Sequence, residues 1–204
     1  MFIGKYNKSV ILTYLGVAIA VTGSYLALIK DLPRYGVLCL ILAGICDLFD
    51  GVIARLTDRD VVSQAFGIQI DSLADMVSFV FLPICICYSL GLVSWLHLAL
   101  YIVYTLTAVV RLAFFNTIVT KSDPQPLAHY RGLPVTYISF ILPLLWLLVL
   151  VVDPLYVKIA YTVALALCSF FFVLDFKLPK PKGLFYIFFP LLAVIVIIVL
   201  LSAG

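Results

Sequence analysis

Apolar runs of roughly 20 residues recur along the whole chain, each long enough to cross the ~30 Å hydrocarbon layer of a bilayer as an α-helix. They lie at 9–29, 36–54, 67–90, 94–117, 133–152, 154–174 and 184–202. Between them stand short polar joints such as "KDLPRY", "RLTDRDVVSQ", "KSDPQPLAHYRG", "VDP" and "DFKLPKPKG". Proline and glycine in most of these joints end helices, because proline lacks an amide donor and clashes with the preceding turn. Only 11% of the 204 residues are charged, against about 25% in an ordinary soluble domain, so a water-facing surface cannot be assembled from this pool. The expected fold is an all-α integral membrane protein, one domain over residues 1–204, built as a polytopic bundle of about seven transmembrane helices. The first run is not expected to be a cleaved signal: it is long, follows Lys5 and Lys8, and has no clean small-residue cleavage site after it.

Basic residues orient the bundle. With the N-terminus in the cytoplasm, Lys5, Lys8, Arg55, Arg59, Arg111, Lys121, Arg131, Lys177, Lys180 and Lys182 fall at cytoplasmic ends, and only Lys30, Arg34 and Lys158 face outward. Ten against three is the bias expected of a correctly oriented membrane protein. The net charge of +3 fits attraction to anionic lipid, and no nucleic-acid partner is expected. Cys39, Cys46, Cys85, Cys87 and Cys168 all fall within runs and read as small packing residues. His97 and His129 have no ligand-spaced partner and read as structural.

Against this apolar background four carboxylates need an explanation. All ten acidic residues are Asp, and Asp47, Asp50, Asp71 and Asp75 lie where the second run ends and the third begins. Asp47 and Asp50 are spaced i, i+3, and Asp71 and Asp75 i, i+4, so each pair shares a helix face. A short connection makes the two helices antiparallel and lets the pairs converge near one interface. Four converging carboxylates in a low-dielectric site must be balanced by cations. Arg55 can offset one charge; one or two hard divalent cations, Mg²⁺ or Mn²⁺, can offset the rest and prefer oxygen ligands. Two such ions form a clamp for phosphate oxygens. Gly51, Ala54 and Gly67 remove bulk beside the acidic faces, either for close helix packing or for a ligand against the backbone; beside four carboxylates the ligand is the stronger reading.

The arrangement Asp47-x-x-Asp50-Gly51-x-x-Ala54-Arg55, eleven residues, then Gly67-x-x-x-Asp71-x-x-x-Asp75 resembles the signature of the CDP-alcohol phosphotransferase family at every fixed position. The gap before Gly67 is a few residues longer than in many members. The resemblance implies transfer of a phosphatidyl group from a CDP-linked lipid to an alcohol, with release of CMP. It implies that Asp47, Asp50, Asp71 and Asp75 hold the metal pair and that Asp75 takes the proton of the attacking hydroxyl. It further implies that Asp47, Asp50, Gly51, Ala54, Arg55 and Gly67 border the cytidine diphosphate, and that the protein is a homodimer.

"RLAFFN" (Arg111 to Asn116) and "YRGLPVT" (Tyr130 to Thr136) resemble the membrane-embedded phosphatidylserine synthase branch, as does the basic segment after the sixth run. That resemblance implies CDP-diacylglycerol and L-serine as substrates, phosphatidylserine and CMP as products, and a site facing the cytoplasm of a prokaryotic cell membrane. Arg111, Asn116 and Arg131 are the candidate acceptor-binding residues. The arginines can grip a carboxylate or phosphate bidentately; they can also simply anchor span ends. Thr13, in the first run, resembles the polar start of the first family helix, although a lone membrane threonine usually bonds its own backbone. A sister enzyme using inositol phosphate or glycerol 3-phosphate is the alternative. An ion-coupled transporter with intramembrane carboxylates is the remote one.

Overall fold

The computed structural model describes residues 8–56, 60–121, 129–179 and 185–202. Among them eight α-helices run in chain order: α1 (Lys8–Leu28), α2 (Pro33–Leu56), α3 (Val61–Asp75), α4 (Leu82–Ser89), α5 (Trp95–Lys121), α6 (Ile138–Trp146), α7 (Pro154–Val173) and α8 (Phe185–Ser202). A π-turn over Met76–Phe81 joins α3 to α4, so Val61–Ser89 is one continuous rod. Five helical rods among the described residues are long and apolar enough to span a bilayer: Val10–Leu28, Pro33–Ala54, Val61–Ser89, Trp95–Thr117 and Pro154–Val173. Two shorter apolar helices, Val135–Leu150 and Pro190–Ser202, lie where the other two spans are expected. The chain is a polytopic, essentially all-helical membrane protein.

Local chemistry sets the ends. Proline opens both α2 and α7, where a missing amide costs nothing. Asp153 caps α7 by accepting from the Leu155 amide at 2.9 Å. The third span begins earlier than the hydropathy suggests, at Val61 rather than 67, because Asp60 caps it by accepting from the Ser63 amide at 3.2 Å. Polar Ser63 and Gln64 are thereby drawn into the helix. Two joints expected to be simple loops instead pair as an antiparallel ribbon, β1 (His129–Arg131) with β2 (Lys177–Pro179), Tyr130 opposite Leu178. Main chain leaving a helix must find new hydrogen-bond partners, and these two segments find each other.

Close packing of α1 on α2 depends on absent side chains. A Cβ at Gly23 would lie 2.5 Å from the Cβ of Cys39, and one at Gly16 would lie 3.3 Å from that of Cys46. Small residues let membrane helices approach until backbone packs on backbone, and both cysteines serve this contact.

A proline follows the π-turn. In an α-helix the Phe79 carbonyl would accept from the amide four residues on, but that residue is Pro83, which has none. The buried Tyr104 hydroxyl of α5 donates to the Phe79 carbonyl instead, at 2.7 Å. A hydroxyl from a neighbouring helix thus stands in for the missing amide immediately after Asp75. Tyr104→Phe is expected to strand that carbonyl and destabilise the protein by about 1–3 kcal/mol, read as a lower thermal midpoint in detergent; an unchanged midpoint would show that the carbonyl is satisfied otherwise.

The turn at Gly132 and Leu133 meets the end of α7 and the segment after it at one end of the bundle. The Gly132 amide donates to Phe176 O at 2.8 Å and the Leu133 amide to Phe171 O at 3.0 Å.

Candidate functional site

At this end α3 packs more closely on α1 than on α2. The acidic stretches of α2 and α3 face each other here. One carboxylate oxygen each from Asp47, Asp71 and Asp75 lies within 4.8 Å of the other two. Asp75 is 8% exposed. Asp50, 4% exposed, turns toward α1 and accepts from the Thr13 hydroxyl at 2.6 Å. Thr13 is thus more than a polar helix start; it holds the fourth aspartate. A void of about 10 Å³ lies between Thr13, Ser78 and all four aspartates, roughly the room that one water molecule occupies.

Two larger cavities flank this centre. The first, of about 130 Å³, lies between α1, α2 and α3 and is bordered by Thr13, Asp50, Gly51, Ala54, Gln64, Gly67 and Asp71. Gly51, Ala54 and Gly67 border open space beside the acids. Arg55 continues α2, but its side chain lies outside the described residues. The second cavity, of about 210 Å³, lies between α3, α5 and the start of the fifth run. Asp47, Asp71, Ser72, Asp75, Arg111, Phe115, Asn116 and Thr136 are among its lining. Asp71 borders both cavities.

Arg111 is 5% exposed. Its Nε donates to Leu133 O at 3.0 Å, its Nη2 donates to Gly132 O at 3.4 Å, and its guanidinium carbon sits 5.6 Å from the centre of the Phe115 ring. Asn116 Oδ1 accepts from the Ser72 hydroxyl at 3.1 Å, a link between α5 and α3. Arg131 lies apart from Arg111 and Asn116. Its side chain is half exposed, pairs with Asp175 at 3.4 Å and is not among the residues bordering the cavity. Arg131 lies in the ribbon opposite Lys177, just before the left-handed backbone of Gly132 (φ +71°). Ser72, Phe115 and Thr136 border the cavity without having stood out in the sequence; Ser72 and Phe115 gave a signal only through adjacency to Asp71 and Asn116.

Three carboxylates this close repel by about 3–4 kcal/mol per ionised pair at an effective dielectric of about 20. The donor set is all oxygen, from side chains already converging on a small void, which is the chemistry hard divalent cations select. The residues present fit a metal centre.

Comparison with known sequences agrees with this geometry. The pattern of the family described as CDP-alcohol phosphatidyltransferase matches residues 6–198, nearly the whole chain. The chain belongs to the CDP-alcohol phosphatidyltransferase family. Among curated relatives of this chain, a Saccharomyces cerevisiae protein named CDP-diacylglycerol–serine O-phosphatidyltransferase is 35% identical over 99 residues, covering 46% of this chain and 35% of the yeast protein. Proteins of the same name from Helicobacter pylori (34% over 96 residues; 45% of this chain, 37% of theirs) and Mycobacterium bovis (29% over 126 residues; 60% and 43%) are also similar. The matched part is under half the length of each of these relatives. Membership in this membrane-enzyme family, together with the five apolar rods, makes the chain an integral membrane protein and leaves a transporter without support.

Proposed function

We propose that this chain transfers the phosphatidyl group of CDP-diacylglycerol to the hydroxyl of L-serine, giving phosphatidylserine and CMP. One observation carries the reading: the aspartate cluster stands between two cavities of different character, and Asp71 borders both. The glycine-lined cavity suits a cytidine diphosphate laid against bare backbone at Gly51, Ala54 and Gly67, with Arg55 at its edge. The cavity holding Arg111 and Asn116 suits the acceptor.

The roles follow from position. Asp47, Asp50, Asp71 and Asp75 would hold two divalent cations, magnesium or manganese, with Thr13 orienting Asp50. Such ions, when bound, neutralise the carboxylates and polarise phosphate oxygens. Asp75 borders the acceptor cavity and accepts the proton of the serine hydroxyl as its oxygen attacks the lipid-linked β-phosphorus. The bond from that phosphorus to the bridging oxygen breaks, and CMP leaves with the electron pair. Arg111 pairs with the serine carboxylate, and Asn116 hydrogen-bonds the amine or hydroxyl.

Charge favours serine over phosphorylated alcohols. Among the described residues the acceptor cavity presents one guanidinium, Arg111, while Arg131 is engaged with Asp175. One cation matches one carboxylate better than a dianionic phosphate. The relatives that carry serine in their names point the same way. The basic-residue bias supports an N-terminus and a site on the cytoplasmic side, where CMP is released, and we infer a homodimer from the family resemblance.

The test supplies CDP-diacylglycerol with labelled L-serine, glycerol 3-phosphate or inositol phosphate in separate vesicle reactions. Label is expected in lipid only with serine. Label entering lipid from either phosphorylated alcohol, and not from serine, would replace this acceptor with that one.

A further inference from the structure

We propose that Gly132 is a positioning residue for acceptor binding: a left-handed turn available to glycine aims two consecutive carbonyls at Arg111 and holds its guanidinium toward the cavity. The proposal rests on reading that cavity as the acceptor site.

Arg111 is buried, and two of its nitrogens are committed to this turn, Nε to Leu133 O and Nη2 to Gly132 O. The direction of the guanidinium therefore depends on the orientation of two adjacent peptide groups. The first of them, the peptide joining Gly132 to Leu133, is fastened from the far side through the Leu133 amide, and the peptide before it through the Gly132 amide. The Gly132 amide donates to Phe176 O, the Leu133 amide donates to Phe171 O, and Arg131 sits opposite Lys177 in the ribbon. The C-terminal end of α7 thus holds the turn, and the turn holds Arg111.

Glycine is required here for two separate reasons. The backbone at 132 has φ +71°, which other residues adopt only with strain. A Cβ would also lie 3.1 Å from Leu174 O, 3.2 Å from Phe172 O and 3.4 Å from Phe171 O. These carbonyls close α7 (Phe171, Phe172) or follow it (Leu174), and those of Phe171 and Leu174 already accept from the Leu133 and Phe176 amides, so relieving the contact shifts the turn against them. Moving it swings both carbonyls that Arg111 uses. Phe115 still stacks on the guanidinium but cannot set its direction in the plane.

The test measures kcat and the KM values for acceptor and CDP-diacylglycerol in wild type, Gly132→Ala and Gly91→Ala. Gly91 has the same kind of backbone, φ +82°, but sits between α4 and α5 at the other end of the bundle, and a Cβ there meets only the flexible end of Lys158. Gly132→Ala is expected to raise the serine KM by about tenfold, the scale of weakened hydrogen bonding by a charged group. Its CDP-diacylglycerol KM should stay unchanged, and Gly91→Ala should match wild type in both. Should Gly132→Ala fail to accumulate in membranes, Gly132→Asn takes its place. Asparagine tolerates left-handed backbone, yet its Cβ meets the same carbonyls, so a raised serine KM is again required. An unchanged serine KM, or equal rises for both substrates, overturns the proposal. If wild type uses another alcohol, the serine assignment fails, and the KM for that alcohol decides the role of Gly132 in the same comparison. A wild type that releases no CMP with any acceptor overturns both.

Discussion

Asp75→Asn is expected to slow CMP release by about 10²–10⁴-fold, the usual contribution of a positioned general base, while the protein remains folded. The substitution keeps the size of the side chain, so the packing around the π-turn is not disturbed. It removes one of three carboxylates whose oxygens lie within 4.8 Å, which relieves repulsion in a site 8% exposed at this residue. Stability should therefore hold or rise as activity falls, and that opposite movement separates a catalytic role from a structural one. Turnover in proteoliposomes and thermal unfolding in detergent, measured on one preparation, check both halves. Wild-type turnover in the variant would remove Asp75 from the proton-transfer step; loss of fold would make it a structural residue instead.

Removing divalent cations should abolish CMP release altogether, and adding magnesium or manganese back should restore it. The reason is electrostatic. A cluster of buried acids is tolerable when cations occupy the space between them, and an anionic pyrophosphate cannot approach those acids while they are bare. Asp47→Asn should raise the cation concentration needed for half-maximal rate, since it takes one oxygen donor from the converging set. Asp50→Asn bears on a different contact, because Asp50 is held by Thr13 rather than grouped with the other three. Full turnover after exhaustive chelation would take the metal out of the mechanism and leave the acids without their partner.

Much of this was legible in the chain. The spans follow from run length and hydropathy, which need no partner to be recognised. The aspartates follow from helical spacing, because i, i+3 and i, i+4 pairs share a face whatever surrounds them. Arg111 and Asn116 lie five residues apart on α5, and both reach the cavity with Asp71 and Asp75. What could not be read depends on contacts between segments distant in sequence. Thr13 bonds Asp50 across 37 positions, a contact that the local preference of a membrane threonine for its own helix does not foretell. Tyr104 answers a gap created by Pro83, and nothing near either residue announces the other. Arg131 makes another such contact. It pairs with Asp175, 44 positions on, which its neighbourhood in the chain does not announce. The ribbon was invisible because three-residue strands have no periodicity to detect.

The most direct test of the central claim follows both products of a single reaction. Vesicles containing the purified chain, CDP-diacylglycerol, L-serine and magnesium or manganese are sampled over time for CMP and for phosphatidylserine. The aspartate centre, serving one cavity for the activated lipid and another for serine, predicts that the two appear in equal amounts and at equal rates, with neither formed when serine is left out. CMP accumulating without phosphatidylserine, or phosphatidylserine failing to form while the vesicles hold folded protein and both substrates, would contradict it.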